Sequence, residues 1–196
     1  MSEIILASAS PRRKELLANM GLDFSVVVSD ADESAIDSDV PSGIYVQELA
    51  LIKAAAVAQK VLKNKNAIII AADTVVVNNG TILGKPRDEN HARQMLSSLS
   101  GKTHQVYTGV CVMRICDAYT VCKDVCTDVT FKTLTDEKIN RYVNSGEPMD
   151  KAGAYGIQGL GAMLVEKING DYFNVVGLPV STLAEILETD FSFVLM

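Results

Sequence analysis

The sequence predicts an α/β protein built on a mixed sheet with flanking helices and divided into two lobes. Three observations carry that expectation. In the first half, short apolar runs alternate with stretches of helical periodicity, the pattern of parallel strands joined by helices. In the second half, a long β-branched hairpin adds antiparallel pairing to the same sheet. The chain has 196 residues, 48% of them hydrophobic and 21% charged, enough to bury a sizeable core without disulfide staples. Residues 1–196 are expected to form one domain.

The elements follow in order. Ile4 to Ala7 is a short, continuous apolar strand that runs into Ser8-Ala9-Ser10-Pro11-Arg12-Arg13. A helix is expected from Pro11 to Met20, because Ser10 is a natural N-cap, Pro11 suits the first helical position and Gly21 the C-terminal cap. Phe24 to Ser29 reads as a strand, followed by an acidic loop from Asp30 to Asp39. Ile44 to Leu62 reads as a helix, with Val46, Leu49, Ala50, Ala54, Val57 and Val61 on one apolar face. Ala67 to Ala72 reads as a buried strand ending at Asp73. Asn78-Asn79-Gly80 makes a hairpin turn, and the chain returns through Thr81-Ile82-Leu83 into Gly84-Lys85-Pro86.

Asp88 caps a helix that stops near Ser100-Gly101. Val106–Arg114 and Tyr119–Phe131 form the long hairpin around Cys116-Asp117-Ala118. Thr135 caps a helix ending at Asn144-Ser145-Gly146. A Gly-rich loop from Gly153 to Gly161 comes next, then a strand from Met163 to Ile168, a turn at Asn169-Gly170-Asp171 and a last helix after Pro179.

Composition narrows the chemistry. The formal net charge is -6 and the pI about 4.9. Such a chain has no electrostatic footprint for nucleic acid or an anionic membrane, so a phosphate site must be a local gathering of cations. The apolar run from Ala67 to Val77 is short and broken by Asp73, too little to span a membrane. The start, Met1-Ser2-Glu3, has no basic leader region, and a cytoplasmic protein is expected. Cysteines stand at 111, 116, 122 and 126 without a close C-x-x-C pair. They read as reduced thiols, some packed in strands; a disulfide pair or a metal knuckle is the alternative.

Ser8–Arg13 is the first candidate site. Arg12 and Arg13 fall in the first turn of a helix, where the dipole is positive and cations are disfavoured. An anion held by helix N–H groups and guanidinium forks removes the conflict; a solvated basic turn is the plainer alternative. Asp73 stands after a buried strand, the edge where open α/β folds bind ligands. It is placed to bind a metal or accept a proton from water, with Thr74 as a donor beside it; a capped turn is the alternative. Lys53 lies on the apolar face of its helix, where it either snorkels to the rim or points into a polar cleft.

Lys85, on a tight loop after a strand, is suited to reach a phosphate. Asp30-Ala31-Asp32 resembles the D-x-D pattern of aspartyl-phosphate phosphatases, but the accompanying lysine and acidic ligand set are not found. Glu33 remains a plausible metal ligand beside a polyphosphate. In the Gly-rich loop, Gln158 offers an amide donor and an acceptor. His104 precedes a strand and reads as a packing residue, with support of a cleft as the alternative.

Taken together, these pieces resemble the Maf family of nucleoside triphosphate pyrophosphatases. The resemblance runs through Ser8–Arg13, Glu33, Lys53, Ala72-Asp73-Thr74, Gly84-Lys85-Pro86, Ser100-Gly101 with His104, Asp150 to Gly159, and Gly170 with Val176-Gly177-Leu178-Pro179. Asp150-Lys151-Ala152-Gly153-Ala154-Tyr155-Gly156-Ile157-Gln158-Gly159 is similar to the branch acting on dTTP and UTP. The resemblance implies two lobes around a long cleft, as in the inosine triphosphatases. It implies Asp73 as proton acceptor, Arg12, Thr74 and Gln158 as base-reading positions, and Arg13, Lys53 and Lys85 on phosphate, with Ser8 and Ser10 in the same binding turn. It also implies a divalent cation (Mg, Mn or Co) at Asp73 and Glu33, a nucleoside triphosphate as substrate, and a cytoplasmic, commonly dimeric protein. Two rivals are a nucleotide-binding regulator of cell division without turnover, and a phosphomonoesterase using Asp30 and Asp32.

Overall fold

The structure is a computed structural model that describes residues 3–37 and 39–195. In chain order its elements are β1 Glu3–Leu6, α1 Pro11–Asn19, β2 Phe24–Val26, α2 Ser42–Lys60, β3 Ala67–Asn78, β4 Thr81–Leu83 and α3 Glu89–Leu99. They continue with β5 Thr103–Arg114, β6 Thr120–Phe131, α4 Asp136–Asn144, β7 Val165–Asn169, α5 Tyr172–Val176 and α6 Val180–Phe191. The seven strands form one sheet in the order β2-β1-β3-β5-β6-β7, with β4 paired to β3. β1 runs parallel to β2 and β3, while β4 and β7 pair antiparallel with their neighbours. The sheet is mixed and helices accompany it, as the alternation of elements required.

Local signals placed most boundaries. Ser10 caps α1 and Pro11 opens it; Gly21 follows at φ +74. Asp88 caps α3 by accepting from the His91 N–H at 2.7 Å, and Thr135 caps α4 from the Lys138 N–H at 3.3 Å. Asn79 and Gly80 both take positive φ, +50 and +77, as a type I′ hairpin demands.

Three expectations change. β3 does not end at Asp73 but runs to Asn78, because Thr74-Val75-Val76-Val77 is itself β-branched and a single polar pair does not stop a paired strand. The segment after Phe24 pairs for only three residues, so β2 stops at Val26. The Gly-rich segment is not an open loop but a series of 3-10 turns at Glu147–Asp150, Ala152–Ala154 and Gly159–Leu164. Short α5, between Gly170 and Gly177, was not expected.

The chain divides into two compact units. The first comprises residues 1–73, 108–125 and 177–196. Its core joins Ile5, Ala7, Ala67, Ile69 and Ala71 of the sheet to Ala50, Ala54, Val57 and Ala58 of α2, with Cys111. Small residues on that helix face let it lie close on the strands. At Gly109 of β5 a Cβ would stand 2.2 Å from the Val46 carbonyl oxygen and 2.7 Å from the Gln47 nitrogen. Only glycine permits that contact.

The second unit comprises residues 74–107 and 126–176. Leu96, Leu99, Val106, Phe131, Ile139, Tyr142 and Tyr155 meet in its core. His104 is fully buried there, its Nε2 sharing a 2.7 Å hydrogen bond with the Tyr155 hydroxyl and its ring set edge-on to Phe131. This is the packing role expected of His104.

Two outcomes follow. Gly109→Ala forces a Cβ into the α2 backbone and should destabilise the fold by about 1–3 kcal/mol or more, read as a lowered urea midpoint. Burial pushes the His104 pKa down to about 4, with Asp128 pulling the other way. The unfolded chain takes that proton near pH 6.5, so the stability from neutral His104 is complete above that pH and is lost as pH falls toward about 4. The loss should reach ~3 kcal/mol, and His104→Gln, which keeps a polar partner for Tyr155, should flatten that part of the pH profile.

Candidate active site

The β1–α1 turn is held by its own side chains. Ser8 Oγ accepts from the Ser10 N–H at 3.2 Å and from Arg13 Nη1 at 3.4 Å. Ser10 Oγ accepts from the Arg13 N–H at 3.5 Å as the N-cap. Arg13 Nε donates to the Gly177 carbonyl at 2.7 Å. The turn that β1 delivers is thereby tied to the segment before α6, and the guanidinium is oriented by a backbone carbonyl and a serine. Both serines serve the shape of the turn.

Lys53 settles its own alternative. Its side chain is 13% exposed and its Nζ pairs with Asp73 Oδ1 and, at 2.9 Å, with Glu33 Oε1. It does not snorkel to the rim; it points from α2 into a polar cluster. Asp73, 15% exposed, is the seventh residue of β3 rather than a residue beyond its end, and Glu33 opens a 3-10 turn in the acidic loop. Arg13 belongs to the same field. Burial lowers its pKa, the Asp73 carboxylate pulls it back up, Arg12 lowers it and Glu33 raises it. The Asp73 and Glu33 carboxylates and the Lys53 and Arg13 cations therefore share one field within the first unit.

Sequence reasoning missed Tyr45. Burial raises its phenol pKa, Asp73 and Glu33 raise it further and Lys53 lowers it, so it faces the same charges as a neutral hydroxyl. The signal was its place about two helical turns before Lys53 on the same helix.

Among the described residues no group of three or more His, Cys, Asp or Glu is gathered to hold a metal. Asp73 and Glu33 do offer two hard carboxylates at one ammonium. Mg²⁺ is commonly held by only one or two carboxylates plus water and substrate phosphates, so the pair fits a cation that arrives with a polyphosphate.

The D-x-D segment has an ordinary explanation. Asp30 pairs with Lys60 at 3.0 Å, and Asp32 caps the 3-10 turn by accepting from the Ser34 N–H at 3.0 Å. Both are exposed loop carboxylates.

The second unit holds the remaining candidates. Thr74 follows Asp73 along β3 and is half-buried; Lys85 is exposed in the loop after β4, next to Gly84, whose carbonyl accepts from the Gly153 N–H at 3.0 Å. Gln158 is half-buried and opens the last 3-10 turn. A carboxylate that the sequence did not flag fixes its surroundings. Glu147 Oε1 accepts from the Tyr142 hydroxyl at 3.0 Å and the Gly161 N–H at 3.1 Å, and its Oε2 accepts from the Leu160 N–H at 3.0 Å. The Gly156 N–H donates to that same hydroxyl at 3.3 Å. Gln158 thus sits between two backbone points clamped to one carboxylate–phenol pair.

The family model described as "Maf-like protein" matches residues 3–190. A dTTP/UTP pyrophosphatase of Clostridium novyi is 53% identical, the alignment covering 94% of this chain and 95% of that protein. One of Alkaliphilus metalliredigens is 52% identical over 97% of each chain, and one of Desulforamulus reducens 51% identical over 96% of each. Among solved structures, a nucleoside-triphosphatase / dITP/XTP pyrophosphatase from Mycobacterium abscessus aligns at 14% identity with a TM-score of 0.42, covering 97% of this chain and 95% of that one. With a family match across nearly its whole length and relatives at half identity end to end, the chain belongs to the Maf family.

Proposed function

We propose that this protein is a nucleoside triphosphate pyrophosphatase that hydrolyses dTTP and UTP, or modified forms of them, to the monophosphate and pyrophosphate. The observation that carries this reading is the Lys53 ammonium holding Asp73 and Glu33 in one field with Arg13. Its full-length relatives carry the name dTTP/UTP pyrophosphatase.

In the proposed reaction, Asp73 accepts a proton from a water that attacks the α-phosphorus. The bond from that phosphorus to the bridging oxygen breaks, and pyrophosphate leaves. Lys53 orients the carboxylate through their ion pair. Arg13, Lys53 and Lys85 are the proposed phosphate contacts, with Arg13 preset by Gly177 and Ser8. Ser8 and Ser10 contribute by fixing the turn. A divalent cation (Mg, Mn or Co) bound with the substrate would be held by Asp73 and Glu33 and would neutralise charge on the phosphate oxygens. Arg12, Thr74 and Gln158 are the proposed base-reading residues; an amide suits a pyrimidine edge, which presents both a donor and an acceptor. The same reading makes the protein a cytoplasmic homodimer.

With dTTP and Mg²⁺, the expected products are dTMP and pyrophosphate. Orthophosphate alone would contradict the reading, and binding without turnover would favour a regulatory protein. Asp73→Asn should lower turnover by about 10²–10⁴-fold in a folded variant; near-normal turnover would remove Asp73 as the base. Gln158→Ala should reduce kcat/KM for dTTP and UTP more than for a purine triphosphate, and equal losses would argue against base reading.

A further inference from the structure

The four cysteines take no part in the proposed reaction, yet two of them occupy a special place in the sheet. The β5–β6 hairpin keeps one register from end to end. At its open end the Phe131 N–H donates to the Lys102 carbonyl at 2.9 Å, and the Thr103 and Thr130 hydroxyls meet at 2.8 Å. Gln105 reaches Asp128 at 3.1 Å, and at the turn the Arg114 N–H donates to the Tyr119 carbonyl at 2.9 Å. In that register Cys111 stands directly opposite Cys122. Backbone-bonded and unbonded pairs alternate along an antiparallel ladder, and counting from Arg114–Tyr119 puts Cys111–Cys122 at an unbonded position. Residues paired there have Cα atoms about 4.5 Å apart, within the ~4.4–6.8 Å that a disulfide spans.

Both side chains point to the same face, into the core cluster that includes Ala50, Ala54 and Val57 of α2. Cys111 is buried and Cys122 half-buried, so a small molecule meets Cys122 first. The thiols also bond to each other. The Cys111 S–H donates to Cys122, which raises the Cys111 pKa and lowers that of Cys122. Cys122 is therefore the more acidic of the two thiols, and the thiolate is the nucleophilic form.

We propose that Cys111 and Cys122 form a reversible cross-strand disulfide when the folded protein meets a hydroperoxide. The Cys122 thiolate attacks the peroxide O–O bond, giving a sulfenic acid at Cys122 and, after protonation, water or an alcohol. The Cys111 sulfur then attacks the Cys122 sulfur; the S–S bond forms, the S–OH bond breaks, and hydroxide leaves with the Cys111 proton as water. Two thiols lose two electrons and one hydroperoxide is reduced. The link lies beneath α2, the helix that carries Lys53.

The test uses folded protein carrying C116S and C126S, so that only the opposed pair remains. After brief exposure to hydrogen peroxide, free thiols are blocked and the protein is digested with trypsin without reduction. The expected result is peptide 103–114 joined to peptide 115–123 in monomeric protein, released by dithiothreitol. C111S in the same background should instead leave a sulfenic acid at Cys122 that dimedone traps. The wild-type protein, mapped by fragmentation of the same linked peptides, stands in if the double variant does not fold. Persistence of free Cys111 beside a sulfinic acid at Cys122 would overturn the proposal. So would two free core thiols in wild-type protein whose exposed Cys116 and Cys126 have been oxidised.

Discussion

One ammonium shared by two carboxylates organises the first unit. Lys53 sits on a helix face otherwise made of alanine, valine and leucine, and taking its charge out of water costs free energy that only close partners return. Asp73 and Glu33 are those partners. The arrangement requires α2 to lie close on the sheet, which the alanines of its inner face and the missing side chain at Gly109 allow. Packing and chemistry are thus one problem: the contact that seats the helix also brings Nζ to the strand that carries Asp73.

The β1–α1 turn supplies the complementary half of the charge. Two arginines at the positive end of a helix are unfavourable in isolation, and α1 has no acidic residue in its first turn to offset them. The offset comes from elsewhere in the chain, from Asp73 and Glu33 acting on Arg13. Serine and backbone carbonyl hold the guanidinium in place. Positioning of that kind is what a phosphate site needs, since much of the gain in phosphoryl transfer comes from placing charge in advance.

The legible parts were those with local causes. Ser10, Asp88 and Thr135 announced their helices because a cap acts within one turn, and Asn79-Gly80 announced its hairpin because few residues accept positive φ twice. Arg12, Arg13, Lys53 and Asp73 stood out as charges at positions where charge is costly. The missed features depend on residues distant in sequence. Asp73 looked like a strand end because burial on both sides of a paired strand cannot be read from one polar dipeptide. Glu147 looked like an ordinary surface acid, since its bonds to Leu160 and Gly161 exist only once the 3-10 turns have formed. Tyr45 looked like one more helix residue until Lys53 and Asp73 fixed the direction of the field around it.

The reading of Asp73 as a base acting on water makes a statement about which phosphorus is attacked, and isotope labelling decides it. Hydrolysis of dTTP in ¹⁸O-labelled water, with the products separated and weighed by mass spectrometry, should place the label in the monophosphate and none in pyrophosphate. Label in pyrophosphate, or in released orthophosphate, would contradict attack at the α-phosphorus and with it the role given to the Lys53–Asp73 pair.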